Sequence, residues 1–313
     1  MISETSTIYG FFTACAFFLG CCIGSFMNVV VWRLPRGESL VYPPSHCPKC
    51  NHRIRAWENI PIISWLCLRA RCSSCHQPIS IKYPIGEAIT GLLFAGIWLR
   101  IVQLRLPLEV TPGFFYLVAS LLAAALIDIE HHIIPDEITY SGIVVALMLA
   151  IALPAGRVGL SDATPVPIIY TGFHSMIERA WPILAESRTF ASVMDCALGI
   201  LFGIWPLLAI GFAVNLLLPH NRNGYSAEAA IGGGDVKLMA MAGAFLGADI
   251  AVKIVLLASA IALIWAICIL PFRKLRKSRL PFAPFIGVAT FWLINFSSCN
   301  VLIYYALKRL LEQ

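Results

Sequence analysis

Long apolar runs alternate with short polar stretches along most of this chain. Eight such runs can be drawn, at about 9–32, 84–103, 113–128, 137–153, 191–218, 235–247, 251–271 and 284–307. Most of them approach the roughly 20 apolar residues that a helix needs to cross a bilayer, although the run at 235–247 is short for a crossing. The pattern therefore predicts an all-α polytopic membrane protein with about eight transmembrane helices.

Two longer polar stretches interrupt this pattern, at 33–82 and at 154–190. We interpret the first as a small cytoplasmic domain between the first two helices. The second contains scattered prolines, glycines and arginines, and we interpret it as an extracytoplasmic insertion that includes a short amphipathic helix at about 173–185. The predicted organisation is a first transmembrane helix at 1–32, the small domain at 33–82 and a membrane core at 83–313.

Composition and charge agree with a membrane location and indicate an orientation. Hydrophobic residues make up 59% of the chain and charged residues 13%, against roughly 25% charged in soluble domains. Because Lys and Arg accumulate in cytoplasmic loops, the eight that fall in 33–82 place this stretch inside and the N-terminus outside. The first seven residues carry neither Lys nor Arg, so the first run is expected to be retained and not cleaved as a signal peptide. We interpret the net charge of +6 as a signal of membrane orientation, and nucleic acid is not an expected partner.

Two aspartates lie at the edges of apolar runs. Asp235 follows the glycines at 232–234, and Asp128 ends the run at 113–128. Threading eight crossings from an outside N-terminus places both at the cytoplasmic face. Two neighbouring carboxylates in a low-dielectric setting share a proton. Such a pair suits peptide hydrolysis, because the ionised acid takes a proton from water while the protonated acid polarises the scissile carbonyl. The residues alone leave open a second interpretation, in which Asp235 caps one helix and Asp128 closes another.

Residues next to these acids receive structural interpretations. Pro135 and Asp136 followed by Thr139 are typical of a helix start, so we expect Asp136 to be an N-cap. Lys237 is expected either to meet phosphate headgroups or to act on the carboxylate of Asp235.

Five of the 11 cysteines lie in the polar stretch at 33–82, and four of them form two C-x-x-C pairs. The pairs are Cys47 with Cys50 and Cys72 with Cys75, and 21 residues separate them. Four thiolates at this spacing are typical of a structural zinc site. A disulfide framework is disfavoured, because the predicted topology places these residues in a reducing compartment.

Several motifs occur together in one order along the chain. They are Gly24-Ser25-Phe26-Met27-Asn28-Val29 with Arg33-Leu34-Pro35, the two C-x-x-C pairs, Tyr83-Pro84 with Glu87, Ile127-Asp128 through Ile134-Pro135-Asp136, Gly232-Gly233-Gly234-Asp235-Val236-Lys237-Leu238 and Pro281-Phe282-Ala283-Pro284-Phe285. With these motifs the chain resembles the type IV prepilin peptidase family, the bifunctional leader peptidases and N-methyltransferases of pilus and type II secretion systems. Two departures are a separation of 107 residues between the two aspartates and the presence of Lys82 and Gly86 where the family commonly has an arginine and a larger apolar residue.

The resemblance implies a GxGD-type aspartyl protease of the bacterial inner membrane, with Asp128 and Asp235 as its catalytic pair. It implies that prepilins or pseudopilins are cleaved after a glycine that ends a short basic leader. It also implies that the new N-terminal residue is then methylated from S-adenosylmethionine, in association with the cysteine domain and with Gly86 and Glu87. It carries no expectation about oligomeric state. The alternatives from other classes are a non-enzymatic membrane scaffold of a pilus or secretion assembly and a transporter that uses the intramembrane acids.

Overall fold

The computed structural model describes residues 2–104, 106–153, 188–217, 232–269 and 281–296. The expected amphipathic helix and nearly all of the expected insertion lie outside these ranges. Most of the loop before the sixth run and most of the loop after the seventh run also lie outside them. The described residues are predominantly helical and contain no β-strand, which confirms the all-α prediction.

Each of the eight apolar runs coincides with a helix among the described residues, and a ninth, short helix lies in the cysteine segment. The helices are α1 Ile2–Arg33, α2 Ile63–Cys67, α3 Lys82–Gln103, α4 Thr111–His131, α5 Asp136–Ala152, α6 Arg188–Leu217, α7 Gly233–Leu246, α8 Ala248–Ile269 and α9 Ala283–Phe296. Within this part of the chain, α1, α3, α4, α6 and α8 are long and apolar enough to cross a membrane. The chain is therefore a multi-pass membrane protein.

The chain divides into two compact units, Met1–Gln103 and Leu104–Gln313. In the first unit, α1 packs against α3 through glycines one helical turn apart. A Cβ on Gly20 would lie 2.7 Å from the carbonyl oxygen of Thr90, and a Cβ on Gly24 would lie 2.8 Å from the Cα of Glu87. Because small residues let helix backbones approach closely in a membrane, these glycines hold α1 against α3, the two helices that flank the cysteine segment. The domain boundaries predicted from the sequence at residues 32 and 82 stay a prediction.

Helix α7 lies at the centre of the second unit, where it contacts α4, α5, α6 and α8. All nine residues from 238 to 246 are buried. With 14 residues it is about 21 Å long, shorter than the hydrocarbon core of roughly 30 Å. From Leu238 to Leu246 the helix is apolar on every side, which is typical of a helix that is buried in protein.

Candidate active site and metal centre

Asp128 lies near the C-terminal end of α4, and its side chain is buried. The helix is closed by His132, which adopts a left-handed conformation and donates its backbone N–H to the carbonyl oxygen of Asp128 at 2.9 Å. The carboxylate has a different partner, because its Oδ2 accepts the backbone N–H of Ala283 at 3.1 Å. The side chain of Asp128 is thus directed to the start of α9 and does not close its own helix.

Asp235 lies in the first turn of α7, whose N-cap residue is Gly232. No side chain makes a capping hydrogen bond at this helix start, so the alternative interpretation of Asp235 as a helix cap does not describe the structure. Gly234 permits the close approach of another segment here: a Cβ at that position would lie 2.9 Å from the Cβ of Ile134. Gly234 therefore lets the start of α7 reach the turn between α4 and α5.

The fold brings the two aspartates together although 107 residues separate them in the chain. The carboxyl group of Asp235 lies within electrostatic reach of Asp128. Asp128 is buried and Asp235 is partly buried. Two neighbouring carboxyl groups that are partly removed from water do not both ionise at low cost. The fold thus places the two predicted catalytic acids within electrostatic reach of each other.

Asp136 is the neighbouring acid whose expected role was wrong. Pro135 occupies the N-cap position of α5, and Asp136 is the first helical residue, with no side-chain capping bond. Its Oδ1 instead lies 2.6 Å from Nζ of Lys237. The pair joins the starts of α5 and α7, two residues from Asp235. Lys237 thus pairs with Asp136, whereas it was expected to meet phosphate headgroups or to act on the carboxylate of Asp235.

The four cysteines of the two C-x-x-C pairs converge, and their sulfur atoms all lie within 4.8 Å of one another. The Sγ atoms of Cys47 and Cys75 are 3.9 Å apart, as are those of Cys50 and Cys72. All four are free thiols. Thiolates at about 2.3 Å from a tetrahedral zinc ion are about 3.8 Å apart, so the four residues fit that metal, and the cluster could hold zinc.

Each C-x-x-C pair is held by the same turn, displaced by 25 residues. The N–H of Cys47 donates to the carbonyl of His52, and the N–H of Cys72 donates to the carbonyl of Gln77, both at 2.9 Å. In each turn the residue after the second cysteine adopts a positive φ, at Asn51 and His76. This repeat was missed in the sequence, where the signal is the pattern C-x-x-C-x-x-x-I, which begins at positions 47 and 72.

Backbone N–H groups of these turns point at the sulfur atoms. The N–H of Lys49 lowers the pKa of Cys47 to about 7. The N–H groups of Cys75 and Ser74 lower the pKa of Cys72. Because the thiolate is the form that binds a metal, these donors favour the metal-binding form of Cys47 and Cys72. Burial and the neighbouring sulfur atoms raise the pKa of Cys75 to about 11.

Glu87 and Gly86, the residues associated with methyl transfer by resemblance, lie in the first turns of α3. Glu87 is buried, and its Oε2 accepts the backbone N–H of Ile62 at 2.7 Å. A Cβ on Gly86 would lie 3.2 Å from Oδ1 of Asn28. Glu87 thus ties α3 to the cysteine segment, and the role of both residues in methyl transfer stays a prediction.

Two family models match the chain. One, described as the bacterial peptidase A24 N-terminal domain, covers residues 18–101, and the other, described as the type IV leader peptidase family, covers residues 115–267. A prepilin leader peptidase/N-methyltransferase of Pseudomonas aeruginosa is 31% identical over 309 residues, which covers 89% of this chain and 88% of that protein. This chain belongs to the type IV leader peptidase family.

Further relatives agree with this membership. A prepilin leader peptidase/N-methyltransferase of Myxococcus xanthus is 39% identical over 173 residues, covering 55% of this chain and 50% of that protein. The type 4 prepilin-like proteins leader peptide-processing enzyme of Escherichia coli is 30% identical over 295 residues, covering 88% of this chain and 91% of that enzyme. No solved structure matches the chain significantly. In this leader peptidase chain, the region matched by the first family model ends before residue 103 and the region matched by the second begins after it. Residue 103 is also where the two compact units divide.

The structure adds three contacts to this leader peptidase that the sequence did not indicate. They are the N–H of Ala283 on Asp128, the pair between Asp136 and Lys237, and the N–H of Ile62 on Glu87. Ala283 belongs to the motif at 281–285 that supports the resemblance, but nothing in that motif shows that its backbone N–H is the part that interacts.

Proposed function

We propose that this protein removes the basic leader from type IV prepilins or pseudopilins and then N-methylates the new N-terminal residue. The proposal rests above all on the meeting of Asp128 and Asp235 in a member of the type IV leader peptidase family. The names of the relatives supply the two activities, and the paired carboxylates supply a means to break the peptide bond.

The proposed cleavage uses the pair as acid and base. The ionised carboxyl group takes a proton from a water molecule, whose oxygen attacks the scissile carbonyl carbon, while the protonated carboxyl group donates to the carbonyl oxygen. Collapse of the tetrahedral intermediate breaks the C–N bond, and the departing nitrogen receives a proton. The N–H of Ala283 fixes the orientation of Asp128 throughout.

The proposed location is the bacterial inner membrane, with the N-terminus outside and the cysteine segment in the cytoplasm. The support is the excess of Lys and Arg in 33–82 and the presence of apolar helices on both sides of that segment. A prepilin has a basic head before an apolar helix, so its cleavage junction reaches the same membrane face as the two aspartates.

The four cysteines are proposed as the ligands of one structural zinc ion, and Glu87 and Gly86 as residues that support methyl transfer. S-adenosylmethionine supplies an electrophilic methyl group when it is bound. The protein has to hold the new N-terminal amine in its neutral form, orient it for attack and exclude water.

The first prediction is that Asp128→Asn and Asp235→Asn each reduce leader removal by at least about 10³-fold, because each variant lacks one of two groups that act together. Purified protein in detergent is incubated with a synthetic prepilin, and the product is weighed by mass spectrometry. Asp249→Asn, which changes an acid in the first turn of α8, is the matched control and should cleave normally.

The same experiment separates the proposed protease from a scaffold. Normal cleavage by either Asn variant would contradict the assignment of the pair. Wild-type protein that accumulates in the membrane and cleaves no prepilin would favour a non-enzymatic assembly role.

A further inference from the structure

A cleft of about 450 Å³ opens in the first unit, lined by one face of α1 and by the segments 40–45 and 59–61. The α1 residues recur at helical spacing and are Cys22, Ser25, Phe26, Val29 and Arg33. A different face of the helix, which carries Gly20 and Gly24, packs against α3. The cleft therefore uses a face of α1 that is not needed to hold the two helices together.

Arg33 is the notable residue in this lining, because it is a cation with only 7% of its surface exposed. Its Nη1 donates to the carbonyl oxygen of Ser39 at 3.0 Å. Among the described residues, no carboxylate lies within ion-pair distance of its guanidinium. A buried charge without a counter-charge is costly, so this residue indicates an anionic group on a ligand of the cleft.

The remaining lining narrows the chemistry of that ligand. Arg presents a planar fork of donors that matches a carboxylate. Phe26 and Val29 offer apolar surface, and Ser25, Ser45 and Asn59 offer polar groups. The volume of the cleft lies within the range of small-molecule and cofactor sites.

We propose that this cleft binds S-adenosylmethionine and that the guanidinium of Arg33 holds its α-carboxylate. The inference rests on the proposed methyltransferase function, which requires a site for a ligand that carries a carboxylate, a purine and a sulfonium group. The resemblance associates methyl transfer with the cysteine domain, and the proposal adds a particular cleft beside that segment and a binding role for Arg33.

Glu87 supports the wall of the cleft. Pro61 lines it, and the N–H of the next residue, Ile62, is held by Oε2 of Glu87. Ser64 adds a second attachment, since its Oγ accepts the N–H of Ile60 at 2.9 Å. Glu87 is therefore a positioning residue for this wall, which accounts for its association with methyl transfer without direct contact with the ligand.

The test measures binding of S-adenosylmethionine and of its decarboxylated analogue to the full-length protein in detergent by titration calorimetry. Arg33→Met should raise the Kd for S-adenosylmethionine about 10–100-fold, the loss expected for a charge-assisted contact. The Kd for the decarboxylated analogue should change less than about twofold. Arg36→Met, which removes an exposed guanidinium stacked 3.8 Å from the ring centroid of Trp32, should change neither value.

Leader removal and zinc content report whether each variant is folded. If Arg33→Met fails these controls, Arg33→Lys keeps the charge without the fork and should still lose the preference for the carboxylate-bearing ligand. Unchanged binding of S-adenosylmethionine by the folded variant, or an equal loss for both ligands, overturns the proposal. Wild-type protein that methylates cleaved pilin would in that case leave the proposed function standing. Wild-type protein that neither binds S-adenosylmethionine nor methylates pilin overturns both.

Discussion

At the scale of the residue, the pair between Asp136 and Lys237 connects the surroundings of the active site. Both side chains are partly exposed, at 53% and 36%, and an ion pair of this kind contributes at most about 1 kcal/mol to stability. Its position gives it more importance than its energy, because it fixes the first turn of α7 two residues after Asp235. The pair should therefore affect catalysis through the placement of that acid.

We expect Lys237→Met and Asp136→Asn each to lower kcat/KM for leader removal about fivefold, the equivalent of about 1 kcal/mol. The double variant should be no worse than either single variant, since both remove the same interaction. Kinetics with a synthetic prepilin measure the effect. Lys253→Met is the control, because it breaks a pair of the same length within α8. Additive losses in the double variant would mean that the two residues act separately.

At the scale of the element, α6 and α7 meet backbone to backbone. A Cβ on Gly199 would lie 2.0 Å from the carbonyl oxygen of Gly243, and a Cβ on Gly243 would lie 2.0 Å from the carbonyl oxygen of Gly199. A Cβ on Gly203, one turn further along α6, would lie 2.4 Å from the carbonyl oxygen of Met239. These small residues explain how α7 can be enclosed by its neighbours and still carry Asp235 at a defined place.

The expected consequence is that Gly199→Val destabilises the protein by about 1–3 kcal/mol, because the new side chain collides with backbone that cannot rotate away. Thermal unfolding in detergent measures the loss. Gly287→Ala is the control, since a Cβ there would meet nothing within 4 Å, and it should leave the unfolding temperature unchanged. A stable Gly199→Val protein would show that the two helices can separate at little cost.

At the scale of the whole molecule, the chain consists of two compact units that correspond to two family models. The cysteine cluster and the cleft lie in the first unit, and the paired aspartates lie in the second. The two proposed activities should accordingly respond to different perturbations.

Removal of the metal is the perturbation that tests this division. Cys50→Ser should reduce zinc from one ion per chain to near zero and abolish N-methylation, because the cysteine segment depends on the metal for its fold. Leader removal should be largely retained. Elemental analysis and mass spectrometry of the pilin product provide the two measurements. Cys67→Ser changes an exposed cysteine outside the cluster and should affect neither. An equal loss of both activities would contradict independent units.

The parts of this architecture that could be predicted from the sequence depend on local signals. Apolar runs gave the eight helices, an acid at the edge of such a run drew attention to Asp128 and Asp235, and cysteine spacing gave the metal site. Contacts between distant segments gave no such signal. The N–H of Ala283 meets Asp128 across 155 residues, and Lys237 meets Asp136 across 101. Side-chain composition carries no information about a backbone donor, so these partners required the fold.

The glycine contact between α6 and α7 also governs how the active site can move. The two helix backbones are in direct contact with no side chain between them, so neither helix can slide along the other without a steric clash. We therefore expect Asp235 to be the stationary member of the pair. Any opening that admits a substrate strand would then require movement of the end of α4, which carries Asp128, and of the start of α9, which carries Ala283.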